Sequence, residues 1–284
     1  MCDGVYYRRL GIQSVVLQSS GWWPREKQPA VYKLSRSARD ALMVTSLLYW
    51  TYFGLTALVL FPVALAIWVV TFPFDSSLLL LHRFTCWWSL LYLRCLPGCQ
   101  VRVEGAQGIV PGTTYVIVAN HQSMSDVMAL SALPFAFKWV SKKENFRIPL
   151  IGWNMYLNRC VRVDRGNLRN VAKTMDKCRH WLARGISLLM FPEGHRSTTG
   201  EIQPFHLGAF KLALSAKCPI VPVVVDGTLH VFRGFRVSPS PGVIRIRVLD
   251  AIPGDLVNGN EKLLRALTSE RMRAALAQMR AVEC

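Results

Sequence analysis

The most constraining feature of this sequence is the run of residues 41–74, which contains no charged side chain. About 20 apolar residues suffice to cross the hydrocarbon core of a bilayer. The run therefore predicts a membrane helix, which either spans the bilayer or lies in it as a helix kinked near Pro62. A second apolar run, 77–93, is interrupted only by His82 and Arg83. Together the two runs predict a membrane-associated helical hairpin over residues 41–97.

The segment before the hairpin, residues 1–40, predicts a polar and basic tail without a recognisable motif. Its basic residues include Lys33, Arg36 and Arg39, and the positive-inside rule places such a flank in the cytoplasm. A signal peptide cleaved after residues 64–66 is the alternative, but the apolar run continues past that point. A hairpin, or a helix embedded in one leaflet, leaves the rest of the chain cytoplasmic, whereas a single span would place it outside.

The composition is basic, with 34 Lys and Arg against 17 Asp and Glu and a net charge of +17. Such a surface attracts phosphate on nucleic acid or on lipid headgroups. The basic residues are scattered and form no zinc-finger, helix-turn-helix or ribonucleoprotein signature. The apolar runs therefore favour lipid, and we expect no nucleic-acid partner. The eight cysteines form no Cys-x-x-Cys pair, which predicts free thiols and no metal site.

Beyond Gly98 the pattern changes to short apolar runs that alternate with helical ones. Strands that are almost wholly apolar indicate a sheet that is covered on both faces. The sequence thus predicts a layered α/β domain over residues 98–284, with helices on both faces of the sheet. The predicted strands are 114–119, 137–141, 160–163, 187–191, 220–225 and 243–249, and the predicted helices are 125–133, 167–184, 207–217 and 261–280.

A first polar cluster, Asn-His-Gln-Ser-Met-Ser-Asp at 120–126, follows the first predicted strand. Loops at the carboxyl ends of strands carry the chemistry of many α/β sheets. Asp126 could accept a hydrogen bond from one imidazole nitrogen of His121, which would leave the other nitrogen as a general base. Ser123 or Ser125 would cap the following helix. The alternative is a buried histidine beside a helix-capping aspartate.

A second polar cluster, Phe-Pro-Glu-Gly-His-Arg-Ser at 191–197, follows the strand at 187–191. Pro and Gly predict a tight turn. The guanidinium of Arg196 can bind a phosphate, and Glu193 could bind a substrate hydroxyl or hold Arg196. An ordinary turn with a local ion pair is the alternative. The chain has no Gly-x-Ser-x-Gly elbow, so neither cluster brings the serine nucleophile of a lipase.

Both clusters resemble motifs of the glycerolipid acyltransferases typified by 1-acyl-glycerol-3-phosphate acyltransferase. The first matches Asn-His-x-Ser-x-x-Asp, and the second matches Phe-Pro-Glu-Gly-Thr-Arg-Ser except that His195 replaces threonine. His206-Leu207 also replaces the basic residues that often precede Gly-Ala-Phe. Further matches follow in family order at 141–153, which begins Ser-Lys-Lys-Glu, and at Val-Asp-Arg 163–165, Gly-Ala-Phe 208–210 and Val-Pro-Val 221–223.

The resemblance implies transfer of a fatty acyl group from acyl-CoA or acyl carrier protein to the 2-hydroxyl of 1-acyl-glycerol-3-phosphate, which gives phosphatidic acid. In this reading His121 is the general base and Asp126 orients it. The alkoxide attacks the thioester directly, without an acyl-enzyme. Two alternatives stay open: the same chemistry on lyso-ornithine lipid or another lysophospholipid, and a non-catalytic basic membrane-binding protein.

The same resemblance implies that Arg196, Arg165 and Lys142 bind the substrate phosphate. Glu193 and Gly194 would form a turn that binds substrate or stabilises the oxyanion. No metal or organic cofactor is required, since the thioester is a co-substrate. The expected partners are membrane lipid, a lysophospholipid substrate and, as one candidate donor, acyl carrier protein. We expect the protein at a membrane, the bacterial inner membrane, with the catalytic domain on its cytoplasmic face.

Overall fold

The described part of the chain begins with a helical hairpin, as predicted. The computed structural model describes residues 36–164, 168–238 and 241–281. Helix α1 (Arg36–Thr71) continues through Pro62, and helix α2 (Leu79–Arg94) follows after a short turn. The predicted tail lies outside the described residues, except that residues 36–40 form the first part of α1. Within the described part of the chain, α1 alone is long and apolar enough to cross a membrane.

The two helices of the hairpin differ in how much of their surface is covered. Helix α1 fully buries one narrow stripe that includes Tyr49, Ala57 and Ala64. Side chains beside this stripe, such as Trp50 and Phe61, are partly covered, and the opposite side of the helix is exposed. Helix α2 is covered more fully, because Trp88 and other side chains pack into the domain core. The large apolar side chains exposed on α1 include Met43, Val44, Leu47, Leu48, Leu55, Leu58, Val59, Val69 and Val70.

A seven-stranded mixed sheet forms the centre of the domain, in the order β1-β9-β6-β2-β5-β3-β4. Strands β6 and β9 pair antiparallel and all other neighbours pair parallel. A separate two-stranded hairpin, β7–β8, contacts α1. The strands are β1 (Gln100–Glu104), β2 (Val116–Ala119), β3 (Phe137–Lys142), β4 (Val161–Val163), β5 (Ser187–Met190), β6 (Ile220–Asp226), β7 (Phe232–Arg233), β8 (Arg236–Val237) and β9 (Val243–Val248).

Helices cover both faces of this sheet, which confirms the predicted layered fold. Alternate residues of β2 point to opposite faces, so Ile117 packs in one core with α1, α2 and α3, and Val116 packs in another with α5, α6 and α7. The helices of the domain are α3 (Ser125–Leu130), α4 (Ile151–Leu157), α5 (Leu168–Ala183), α6 (Gly208–Ser215) and α7 (Glu261–Ala281).

All six predicted strands and all four predicted helices of the domain are present, with ends shifted by a few residues. Strand β1, helix α4 and the β7–β8 hairpin were not predicted. Strand β1 carries charged residues at an edge of the sheet and is partly exposed, so it lacks the apolar run of a central strand. Helix α4 has only seven residues, too few for a helical period to be recognised.

Candidate active site

The first polar cluster forms a histidine–aspartate pair beyond the carboxyl end of β2. Nδ1 of His121 lies 2.7 Å from Oδ2 of Asp126. The histidine side chain keeps 17% of its surface exposed, while the aspartate side chain is fully buried. A hydrogen bond from Nδ1–H to a carboxylate leaves Nε2 as the ring nitrogen able to accept a proton. The predicted approach of the two side chains is confirmed.

Asp126 is held by backbone groups of its own loop. Its Oδ2 accepts hydrogen bonds from the N–H of Gln122 at 2.6 Å and of Ser123 at 2.8 Å. The predicted capping of α3 by Ser123 or Ser125 is wrong, since Met124 occupies the N-cap position. The two hydroxyls instead donate to carbonyls of the chain that follows β6: Ser123 to Phe232 at 3.0 Å and Ser125 to Thr228 at 3.1 Å.

Aromatic rings fix the plane of the imidazole. The ring of His121 stacks on Phe191, with centroids 4.0 Å apart and planes inclined by 13°. Phe191 stacks in turn against Trp139 on β3 at 5.9 Å. Because Phe191 opens the second polar cluster, this stack brings the two clusters together. The stacking on Phe191 and the hydrogen bond to Asp126 both restrict the imidazole. A histidine restricted in this way loses little further conformational entropy when it acts as a base.

Glu193, a residue of the second cluster, links the two clusters by a hydrogen bond to the backbone of the first. Its Oε1 accepts the backbone N–H of His121 at 2.7 Å, and its Oε2 accepts that of Gln203 at 2.9 Å. The residue is fully buried, and this burial raises its pKa to about 7 although the two backbone hydrogen bonds act in the opposite direction. Glu193 thus faces the protein backbone rather than Arg196. The suggestion that it binds a substrate hydroxyl stays a prediction.

The turn of the second cluster closes on itself. Gly194 has a φ of 79°, a left-handed conformation that glycine adopts without strain. Its N–H donates to the carbonyl of Phe191 at 3.3 Å, and the N–H of Ser197 donates to the carbonyl of His121 at 2.7 Å. The N–H of Gly194 therefore already has an acceptor in the turn. An oxyanion role for Gly194 stays a prediction.

The predicted phosphate ligands are only partly brought together. Arg196 is exposed and lines the cavity beside His121. Lys142 also lines the cavity, with 59% of its side chain exposed and its Nζ 3.7 Å from Glu144. Arg165 lies outside the described residues.

Two amide side chains beside the pair also hold the site, and sequence reasoning gave neither a role. Asn120 bonds both backbone groups of Val225: its Nδ2 donates to the carbonyl at 2.9 Å and its Oδ1 accepts the N–H at 2.7 Å. Gln122 donates through Nε2 to the carbonyls of Gly200 and Val225, both at 3.1 Å. The signals in the sequence were their position next to His121 and, for Asn120, its place in the Asn-His-x-Ser-x-x-Asp motif. The hydrogen bonds tie the catalytic loop to strand β6.

A cavity of about 2080 Å³ opens at this site. Its volume exceeds the roughly 300–1,000 Å³ of ordinary small-molecule pockets. Toward α1 and α2 the cavity is lined by aromatic side chains that include Trp50, Phe53 and Trp88, and beyond His121 it is lined by polar ones that include Arg196. An apolar chain and a phosphate can therefore occupy one continuous space on the two sides of the histidine.

Comparison with known proteins finds similar sequences and a similar fold. The family model described as Acyltransferase matches residues 100–226, which include both polar clusters. This part of the chain is therefore similar to that family. A 1-acyl-sn-glycerol-3-phosphate acyltransferase of Chlamydomonas reinhardtii is 38% identical over 159 residues, 55% of this chain and 48% of that protein. The alpha enzyme of the same name from Homo sapiens is 31% identical over 166 residues, 58% of this chain and 59% of that protein.

The match to these relatives is partial: the chain spans about half the length of the curated relatives it matches. A solved structure gives wider coverage. The crystal structure of the 1-acyl-sn-glycerophosphate acyltransferase from Thermotoga maritima aligns with a TM-score of 0.66 and covers 84% of this chain and 98% of that one. The identity is 22%, so this likeness concerns the fold. It supports the layered α/β architecture preceded by helices.

Proposed function

We propose that this protein transfers a fatty acyl group from a thioester, acyl-CoA or acyl carrier protein, to the 2-hydroxyl of 1-acyl-glycerol-3-phosphate. The observation that carries the proposal is the His121–Asp126 pair, at 2.7 Å, on the wall of a cavity that is aromatic on one side and has Arg196 on the other. The names of the curated relatives point to the same acceptor. The product would be phosphatidic acid, a precursor of phospholipids.

His121 acts as the general base in this reaction. Its Nε2 takes the proton of the acceptor hydroxyl while Asp126 holds Nδ1–H and stabilises the imidazolium that forms. The oxygen forms a bond to the thioester carbonyl, the carbon–sulfur bond breaks, and the leaving thiolate takes the proton back from Nε2. No residue of the chain is acylated, which agrees with the lack of a serine elbow in the sequence.

Arg196 binds the phosphate of the acceptor. Its guanidinium can form two parallel charge-assisted hydrogen bonds with phosphate oxygens, and its exposed position on the cavity wall leaves it accessible. Lys142 adds a second positive charge from the end of β3. Arg165, next to Asp164 after β4, is the third member of this proposed set.

Helix α1 associates the enzyme with one leaflet of the membrane. Its 36 residues correspond to about 54 Å at 1.5 Å per residue, longer than a bilayer core of about 30 Å. The helix contacts the domain at two separate points along its length: Ser46 accepts the N–H of Val237 at 2.9 Å, and Phe61 packs on Trp153 with ring centroids 5.7 Å apart. A helix that lies along the domain in this way presents its open apolar side to lipid without leaving the domain's surface.

The turn after α1 supports the same placement. Lys138 on β3 is buried, and its Nζ donates to the carbonyl of Ser77 in the turn at 2.7 Å. The turn is thereby fixed to the sheet, so it cannot lie across a bilayer from the domain. An acceptor lipid would then enter the cavity from the leaflet in which α1 lies, beside Trp50 and Phe53.

Acyl transfer by the purified protein tests the proposal. Thiol release would be followed with acyl-CoA and with acyl carrier protein as donors, and the lipid product would be identified for 1-acyl-glycerol-3-phosphate, lyso-ornithine lipid and lysophosphatidylcholine. We expect release that depends on 1-acyl-glycerol-3-phosphate, yields phosphatidic acid, and is lost in His121→Ala. Transfer to another lysolipid alone would keep the chemistry and overturn the acceptor. Absence of transfer to every lysolipid would favour the non-catalytic membrane-binding alternative.

A further inference from the structure

The loop of residues 196–201 begins within the second polar cluster and is fixed by contacts on two sides. On one side, the N–H of Ser197 donates to the carbonyl of His121 at 2.7 Å. On the other side, the C-terminal helix α7 places Arg280 against the end of the loop. Helix α7 lies outside residues 100–226, the span that matches the family model.

Arg280 makes four contacts there, with three acceptor groups. Its Nη1 lies 2.7 Å from Oε1 of Glu201, and its Nη2 lies 3.2 Å from Oδ1 of Asp226 at the end of β6. Its Nε also donates to Asp226, at 3.4 Å. Nη2 donates at 3.0 Å to the carbonyl of Gly200. One guanidinium thus joins a helix, a strand end and the loop, and its planar fork suits such a set of acceptors.

The carbonyl of Gly200 connects this cluster to the catalytic pair. It accepts hydrogen bonds from both Nη2 of Arg280 and Nε2 of Gln122, the residue that follows His121. Gly200 has a φ of +82°, and a Cβ at this position would lie 3.1 Å from Nη2 of Arg280. Glycine therefore permits both the backbone conformation and the close approach of the guanidinium.

We infer that Arg280 is a positioning residue that fixes the loop carrying Arg196 relative to His121. Arg280 itself is paired with two carboxylates, Glu201 and Asp226, so its charge is largely compensated and it serves poorly as a phosphate ligand. Its effect reaches the substrate through Arg196. Binding groups that are misplaced by about 1 Å can cost up to 10² in rate. The inference rests on the proposed function for its kinetic effect, but not for its structural effect.

Two measurements on Arg280→Gln test this inference, with Arg271→Gln as the control. Arg271 lies on the exposed side of the same helix. The control variant therefore removes the same single positive charge from α7 without removing a contact to the loop. We expect the apparent KM for 1-acyl-glycerol-3-phosphate to rise about tenfold in Arg280→Gln with a smaller change in kcat, as expected when substrate binding is weakened. Arg280→Lys, which keeps one ion pair, should lie between the two.

The second measurement requires no catalysis. Trypsin cleaves after arginine, so a loosened loop should be cut after Arg196 at least several times faster in Arg280→Gln than in Arg271→Gln under native conditions. Equal cleavage in the two variants overturns the inference, even if the wild-type protein transfers no acyl group. A lower melting temperature with unchanged cleavage and unchanged KM also overturns it, since that result describes a residue that stabilises the fold alone.

Discussion

The two polar loops at the carboxyl edge of the sheet are built in different ways. In the loop after β2, Asp126 is fully buried and its Oδ2 accepts from an imidazole and two backbone N–H groups. In the loop after β5, Arg196 is exposed on the cavity wall. The first loop has its polar groups fixed before substrate arrives, whereas the second presents a long charged side chain to solvent.

The difference matches two separate tasks. A base must be held at one position and in one tautomer, which burial and several hydrogen bonds achieve. A phosphate ligand must capture a charged group that enters from outside, which an exposed guanidinium achieves. Variants of the first loop should therefore lower kcat, and variants of the second should raise KM.

The largest effect is expected for His121→Ala. Loss of a general base typically lowers the rate by about 10²–10⁴, and the apparent KM for the acceptor should change little. Steady-state thiol release measures both constants. His180→Ala is the control, because that histidine is exposed on α5. A kcat within a few-fold of wild type in His121→Ala would remove the base from this loop.

Asp126→Asn separates the charge of the carboxylate from its hydrogen bonds. Oδ1 of Asp126 has no hydrogen-bond partner among the described residues. An asparagine can therefore place its side-chain oxygen at the Oδ2 position, where it still accepts hydrogen bonds from Nδ1–H of His121 and from the N–H groups of Gln122 and Ser123. We expect kcat to fall, though by less than the factor of about 10²–10⁴ that loss of a general base costs, because the hydrogen bonds remain while the negative charge that stabilises the imidazolium is lost. Asp126→Ala should lose more. Equal kcat values for the Asn and wild-type proteins would show that the negative charge has no role.

Arg196→Gln should affect the acceptor rather than the chemistry. A hydrogen bond to a charged group contributes about 1.5–3 kcal/mol, which corresponds to a rise in KM of about tenfold or more. Arg196→Lys keeps the charge but loses the fork and should be intermediate. An effect on kcat with unchanged KM would contradict the division of tasks between the loops.

Glu193→Gln should give the smallest kinetic effect, a few-fold loss of kcat, because the glutamine leaves the N–H of either His121 or Gln203 without an acceptor. That loss costs about 1–3 kcal/mol of stability. The pKa of Glu193 is raised from 4.5 to about 7 by burial. A raised pKa means that its contribution to stability is complete below about pH 4.5 and is lost as the pH rises to about 7.

The pH dependence of the free energy of unfolding distinguishes the wild-type protein from Glu193→Gln. Between about pH 4.5 and 7, wild-type stability should decline relative to Glu193→Gln, because the variant has no carboxyl to ionise at this position. Denaturant unfolding at several pH values measures the difference. Parallel curves over this range would show that Glu193 does not titrate there, and would weaken the view that it is a buried link between the loops.

The sequence by itself determined most of the secondary-structure elements of this protein and which polar groups could react. An uncharged run of 34 residues, 41–74, leaves a chain few choices other than an apolar helix, and central strands such as Ile220–Asp226 are apolar on both sides because both faces are covered. The His-x₄-Asp spacing also predicted the contact of His121 with Asp126, since the two residues are close in the chain and local backbone geometry brings them together.

Only the tertiary structure decided where distant groups meet. The pairing of β2 with β5 brings the carboxylate of Glu193 to the backbone N–H of His121, a contact that the sequence did not predict. Arg280 is one of many basic residues in the sequence, and only the packing of α7 on the end of β6 brings it to Gly200. Such contacts depend on the docking of whole elements. Local sequence pattern does not encode that docking, because a helix or strand keeps the same period wherever it packs.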